Sequence, residues 1–235
     1  MEMLMAAAVF FLAIHLLVSG TRLRDAIVGV TGERGFMGLF SLASLGGIIW
    51  MAVSYNAASA QGSDVVWDLG PGIKHLGPLV VGAAFLLGVP GLLMPSPTAV
   101  GMEARAADSG TVQGVLRITR HPFLWSVALW SAFHVAANGD LASIVFFGTF
   151  LMLSVAGTFS IDAKRARKMG EAWKAYAART SNFPFGAILS GRGALKIGEL
   201  LTFRLAVAIV AFLVVLFAHA QVFGVSPFPG GWVPF

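Results

Sequence analysis

The segment Arg120-His121-Pro122-Phe123-Leu124-Trp125-Ser126-Val127-Ala128-Leu129-Trp130-Ser131-Ala132-Phe133-His134-Val135-Ala136-Ala137-Asn138-Gly139-Asp140 decides how the chain is read. Pro122 suits the first turn of a helix, where its missing amide has no intrahelical partner. At the far end Gly139 suits a left-handed stop, and Asp140 suits the cap of the next helix. The segment therefore predicts a helix that turns tightly into a second apolar run at 141 to 159. Phe123, Val127, Trp130, Ser131 and His134 fall on one face by three- and four-residue spacing, while Ala128, Ala132 and Ala136 make a narrow face for close helix packing.

Outward from this segment the composition is that of a membrane protein. Of 235 residues, 57% are apolar and 11% charged, well away from an ordinary soluble domain. Apolar stretches lie at about 3 to 19, 36 to 54, 79 to 94, 122 to 137, 141 to 159 and 201 to 220. In lipid every peptide group needs an internal partner, and none of these stretches alternates as a barrel strand does. The expected fold is all-α: an integral membrane bundle of about six transmembrane helices with a cytoplasmic amphipathic helix. Residues 1 to 220 form one domain and 221 to 235 a short non-cytoplasmic tail.

The charges support this count. Arg22, Arg24 and Arg34 follow the first span, Arg105, Arg117 and Arg120 precede the fourth, and eight Lys and Arg lie between Ser160 and Leu200. The alternate loops carry Lys74 or no basic residue, and the tail has none. Positive-inside bias then places both termini outside, periplasmic in a bacterial inner membrane. The net charge of +5 reflects this bias rather than a nucleic-acid surface. Residues 3 to 18 lack a basic n-region and read as a retained span, not a signal peptide.

Local signals set the remaining expectations. Thr31 to Gly35 reads as a turn into the second span, and Ala43 with Gly47, like Ala84 with Gly88, permits close helix contact. The third span is expected to end at Pro90-Gly91. Residues 99 to 118 read as a short surface helix. Residues 160 to 180 read as a basic helix with Trp173 and Tyr176 lying on the membrane, and Trp67 and Trp232 as interfacial residues.

There is no cysteine, so a metal or cofactor falls to histidine, carboxylate, methionine or backbone. His134, inside a span, is the foremost candidate ligand, because an imidazole there faces the bundle interior. His15 is the second, and His121 beside Arg120 suits an anionic group at the cytoplasmic boundary. Depth along the spans leaves several pairings open: His134 with His219 or His75 toward the outer side, and His15 with His121 toward the inner side.

These residues also carry a family resemblance. His15, the stretch Gly32-Glu33-Arg34-Gly35-Phe36-Met37-Gly38-Leu39-Phe40-Ser41, Arg120-His121-Pro122, Trp130 to Asp140 and Asn182-Phe183-Pro184-Phe185 resemble the NnrU family, integral membrane proteins of denitrifying and photosynthetic bacteria related to the zeta-carotene isomerase of plants. The resemblance implies haem b in the bundle with His15 and His134 as ligands, a hydrophobic small molecule, and a redox or isomerase-related role beside nitrite and nitric oxide reduction with the denitrification proteins as partners. Ser131 stands where the isomerase branch has a cysteine. More widely, Arg120-His121-Pro122 with Asp162, Gly170, Trp173, Tyr176 and Pro184 is similar to membrane isoprenylcysteine and phospholipid methyltransferases. That similarity implies S-adenosylmethionine at the Arg120 and His121 mouth as the alternative cofactor. A non-catalytic assembly or transport protein is the third reading.

Overall fold

The computed structural model describes residues 1–19 and 21–231. Gly20 and residues 232–235, and with them the interfacial reading of Trp232, lie outside the described residues. The elements are helical, in the order α1 (Glu2–Ala13) with a π-turn at Ile14–Val18, α2 (Leu23–Ala60), α3 (Gly77–Leu93), α4 (Pro122–Ala137), α5 (Leu141–Met169), α6 (Glu171–Arg179), α7 (Gly186–Leu189), α8 (Ile197–Leu200) and α9 (Phe203–Phe223). Among the described residues the only strand-like pairing is an isolated bridge between Val65 and Asp140.

The all-helical membrane architecture is borne out. Among the described residues, four helical stretches are long and apolar enough to cross a hydrocarbon core: α2, α3 with the 3-10 turn before it from Pro71, α5 and α9. Residues 2–18 and the 16 residues of α4 are apolar but shorter. At 1.5 Å per residue α4 reaches ~24 Å, less than the ~30 Å core. On α9, Val207, Val210 and Val214 stand exposed in a run with only Ala208 buried, the pattern of a lipid-facing helix.

The chain divides into two compact units. The first comprises residues 1–69 and 134–153. Here α1 lies on α2, with Ala7, Phe11 and Met51 at the centre and Phe146, Phe150 and Leu153 of α5 against them. Gly47 permits this approach, since a Cβ there would stand 3.0 Å from the Phe11 ring. The expected turn at Thr31 to Gly35 is a single break: α2 is helical from Leu23, and Gly32 alone leaves helical geometry at φ 72°, a conformation open to glycine.

The second unit comprises residues 70–133 and 154–235, described to Gly231. In it α3 packs on α9, where the Phe212 ring lies over Gly82 and beside Phe85. Gly88 and Gly91 bring α3 against α4 closely enough that a Cβ would meet Ser126 Oγ at 2.2 Å and Pro122 Cγ at 2.6 Å. The third span does not end at Pro90-Gly91; α3 continues to Leu93. A proline one turn from a helix end removes one amide bond, and the glycine after it leaves room for the Pro122 ring.

Residues 99 to 118 are not a surface helix. They form three short 3-10 turns, Glu103–Ala107, Ser109–Thr111 and Gly114–Arg117, because Gly101 and Gly114 adopt positive φ and interrupt any longer run. The basic segment after 160 is also reorganised. α5 runs unbroken to Met169, and Gly170 at φ 54° separates it from α6.

Glu199 joins α8 to the last of the 3-10 turns: it accepts from Arg117 Nε at 2.7 Å and Nη2 at 2.9 Å, and from the Gly114 amide at 2.9 Å. The Arg117 hydrogen bond leads in holding its carboxyl down at about 2. Between that value and the ordinary glutamate range the unfolded chain binds a proton that the folded one does not, so this contribution is present above the ordinary value and fades as pH falls through it toward 2. Acid unfolding of Glu199→Gln is therefore expected to show a shallower loss of stability over that range than the parent, measured by circular dichroism in detergent.

Candidate functional site

Two groups of polar residues stand out, one in each unit. In the second unit the centre is Asp162 on α5. Arg120 donates to it from Nε at 3.0 Å and from Nη2, His121 donates from Nε2 at 2.7 Å, and Asn182 donates from Nδ2 at 3.2 Å. A carboxylate accepts at about four positions, so Asp162 is fully engaged. Because a carboxylate only accepts, His121 carries its proton on Nε2. Burial holds His121 below the ordinary histidine range, against the opposing pull of Asp162.

The chain around this carboxylate is fixed by backbone contacts. The Arg120 amide donates to Ser181 O at 2.9 Å, Thr98 Oγ1 donates to Arg120 O at 3.1 Å, and Trp125 Nε1 donates to Asn182 Oδ1 at 3.3 Å. Phe185 adopts a left-handed conformation at φ 62° while its amide bonds Ile118 O. The Asn182-Phe183-Pro184-Phe185 stretch is thus the turn that returns the chain to the start of α4.

The expectation that Trp173 and Tyr176 lie on the membrane is corrected here. They are 4% and 0% exposed and pack on Ala106, and the Arg120 guanidinium sits over the Trp173 ring, 5.6 Å from its centroid. The Tyr176 hydroxyl lies near Ser96 without a hydrogen bond of ordinary geometry. Of the methyltransferase-like residues, Arg120, His121, Asp162, Trp173 and Tyr176 are brought together. With Asp162 saturated, that carboxylate has no position left to accept from a further group.

The first unit holds His15 and His134. His15 lies on the π-turn after α1 and donates from Nδ1 to Phe11 O at 2.8 Å. A carbonyl only accepts, so Nδ1 bears the proton and Nε2 presents a lone pair. The ring sits between Phe11, with centroids 4.4 Å apart, and Phe40, 5.0 Å away. His134, near the end of α4, stacks on Phe147 at 4.7 Å. The rings of Phe11, Phe150, Phe146 and Phe147 form a continuous series between the two imidazoles, with successive centroids 5.6, 5.3 and 5.1 Å apart.

This series also measures how far apart the histidines stand. Leu4 packs on Ala142 and Phe11 on Phe150, so α1 and α5 run in the same direction. His15 is one turn beyond Phe11, whereas His134 meets α5 three residues before Phe150. They differ by about seven residues of rise, ~10 Å. In this arrangement the packed phenyl rings stand between the two imidazoles, and either imidazole alone has the chemistry of a single iron ligand.

Ser131, buried beneath His134 on α4, spends its hydroxyl on Val127 O of its own helix. His75, His121 and His219 belong to the second unit. His75 is on the exposed 3-10 turn before α3, and His219 donates from Nδ1 to Val225 O at 2.7 Å. Among the described residues no cluster of three or more histidine or acidic side chains is placed to hold a metal ion.

A model of the NnrU protein family matches residues 3–227. The chain belongs to the NnrU family. Among curated proteins it is 30% identical over 183 residues to the chloroplastic 15-cis-zeta-carotene isomerase of Arabidopsis thaliana, and 26% identical over 174 residues to that of Zea mays. Each match covers 72% of this chain and 46% of the relative, so the chain spans about half the length of these isomerases. No solved structure matches it.

Within this NnrU protein one polar residue escaped the sequence reading. Ser44 lies on the face of α2 that carries Phe40, Gly47 and Met51, and its Oγ is buried without a hydrogen-bond partner. Its only sequence signal is a lone hydroxyl at four residues from Phe40 and three from Gly47.

Proposed function

We propose that this NnrU protein is an isomerase-related membrane protein acting on a hydrophobic small molecule, with haem b carried on His134 as a single protein ligand. It sits in a bacterial inner membrane with both termini on the periplasmic side. The observation that carries the reading is the placement of His15 and His134 in one apolar unit, at opposite ends of the Phe11, Phe150, Phe146 and Phe147 series. The isomerase character is supported by the curated relatives, and an apolar substrate suits an aromatic interior.

Haem b would supply redox-dependent chemistry, and His134 would hold it. The protein's own contribution is to keep the two imidazoles in separate surroundings, one stacked on Phe147 and one fixed by the Phe11 carbonyl. The link to nitrite and nitric oxide reduction belongs to the same proposal.

Protein purified from membranes supplied with haem is expected to show a Soret band that persists in His15→Ala and disappears in His134→Ala, with helicity by circular dichroism unchanged. Absence of the band in the parent removes the haem, and equal loss in both variants restores a two-histidine ligation. Titration of the loaded protein with nitric oxide is expected to shift the band; an unmoved band removes the nitric oxide link.

A further inference from the structure

We propose that the segment from Phe183 to Arg192 is an interfacial lipid-binding site. Phe183, Phe185 and Leu189 enter the leaflet beside the start of α4, and Arg192 holds the phosphate of an anionic phospholipid there. The segment lies wholly in the second unit. It makes the membrane contact that the buried Trp173 and Tyr176 do not make.

Its apolar side chains continue a surface that already belongs to the membrane. Phe159 stands exposed on the last apolar turn of α5, a helix able to cross the core. The Phe183 ring, 54% exposed, meets it edge-on with centroids 5.9 Å apart and tilts against Trp125 at 5.6 Å. The single turn of α7 buries Ala187 and leaves Phe185 and Leu189 outside, Leu189 at 85% exposure. Beyond it, Leu201 and Phe203 stand exposed where the chain enters the lipid-facing α9. Large apolar side chains gathered at a surface mark contact with a partner or a membrane. Continuity with α5 at one end and α9 at the other selects the membrane.

Arg192 supplies the polar half of the site. Gly191, at φ 70°, turns the chain out of α7. Arg192 then donates from Nε to Ser190 Oγ at 2.8 Å, and from Nη1 to Ala178 O at 3.1 Å and Thr180 O at 3.0 Å. The guanidinium is thus fixed on the last carbonyls of α6, while among the described residues no group accepts from Nη2, which carries two of its five N–H donors. It has no counter-charge either. Each acidic residue of the second unit, Glu103, Asp108, Asp162, Glu171 and Glu199, forms its ion pair with another basic side chain. An exposed, preorganised guanidinium three residues from Leu189 fits a phosphate oxygen at the level where acyl chains begin. A zwitterionic headgroup brings its own cation beside Arg192, so the anionic class is favoured.

The site depends on neither haem nor substrate, and its test reads neither. The chain has no cysteine, so one introduced residue carries a spin label. Labelled Leu189→Cys, in nanodiscs of phosphatidylcholine and phosphatidylglycerol, is expected to be relaxed by oxygen and shielded from a water-soluble nickel chelate. Val210→Cys on α9 is expected to behave alike, and Lys174→Cys on α6 oppositely. Native mass spectrometry of the full chain in detergent is expected to show phosphatidylglycerol adducts at lower concentration than phosphatidylcholine adducts. Arg192→Gln is expected to raise the phosphatidylglycerol needed about fivefold, the worth of one basic side chain at an anionic surface. Arg167→Gln, at an exposed arginine of α5, is expected to leave it unchanged. Chelate access at Leu189 equal to that at Lys174, equal binding of the two lipids, or the same response in both arginine variants overturns the proposal. So does displacement of phosphatidylglycerol by inorganic phosphate alone, the mark of a site for a soluble anion. The Leu189 label and the lipid comparison keep Arg192 in place, so both decide the matter even where Arg192→Gln loosens the loop.

Discussion

Asp162→Ala is expected to destabilise the second unit by about 3–5 kcal/mol, the cost of leaving a buried charge without its counter-charge. The change strands Arg120, whose side chain is 13% exposed, and His121, whose side chain is 1% exposed. It also releases Asn182, and with it the turn that returns to the start of α4. Chemical unfolding in mild detergent, followed by Trp125 and Trp173 fluorescence, reads the loss. Asp162→Asn separates charge from shape: it keeps the volume and one acceptor oxygen, so it is expected to lose less than alanine but still more than 1 kcal/mol. A double change, Asp162→Leu with Arg120→Met, is expected to recover part of the loss, since an apolar pair carries no desolvation cost. If Asp162→Ala costs less than 1 kcal/mol, the network is a solvated arrangement and not a lock.

Gly139→Ala is the second large effect, expected in the first unit. A Cβ there would stand 1.9 Å from Trp67 O and 2.5 Å from Trp67 Cδ1, and backbone cannot yield as a side-chain tip can. Gly139 O also accepts from the Val66 amide at 2.8 Å and the Trp67 amide at 3.3 Å, while Trp67 Nε1 donates to Ala136 O. Displacement of the 65 to 67 segment is expected to cost about 1–3 kcal/mol, the range for overpacking. Amide hydrogen exchange at Val66 and Trp67 should rise in the variant while exchange in the α3 and α9 pair stays as in the parent. Unchanged exchange at both amides would show that the turn relaxes without breaking these bonds.

The reason for Gly139 illustrates what the sequence carried. The Asn138-Gly139-Asp140 stop was legible, and Asp140 caps α5 as expected, accepting from the Ser143 amide at 3.0 Å. Gly139, however, is needed for close approach of Trp67 and does not adopt a positive φ; that requirement comes from a segment about seventy residues away. α4 was legible because its signals are local: Pro122 begins it and the turn ends it. Residues 99 to 118 were misread because composition allowed a helix, whereas glycine dihedrals broke it.

At the sites the same division holds. Arg120, His121 and Asp162 could be named from their types and spacing, but the saturation of Asp162 depends on Asn182 returning from a distant turn. Trp173 and Tyr176 follow an interfacial pattern, and only Ala106, supplied by a 3-10 turn, shows why they are buried. Ser44 could not be singled out, because a serine on a small-residue face is ordinary until its hydroxyl is found without a partner.

The π-turn at Ile14–Val18, with the Ser19 amide bonded to Ile14 O, has a historical meaning as well as a structural one. A single π-turn is what an α-helix becomes when one residue is inserted and the flanking turns keep their register. Removing Leu16 or Leu17 would therefore restore the regular helix without turning one flank against the other. Leu4, Ala7 and Phe11 would keep their places in the core, and the segment leading to α2 would keep its bearing. What the added residue changes is local: the Ser19 amide bonds a carbonyl one residue further back than in a regular helix, and His15 sits on that wider turn.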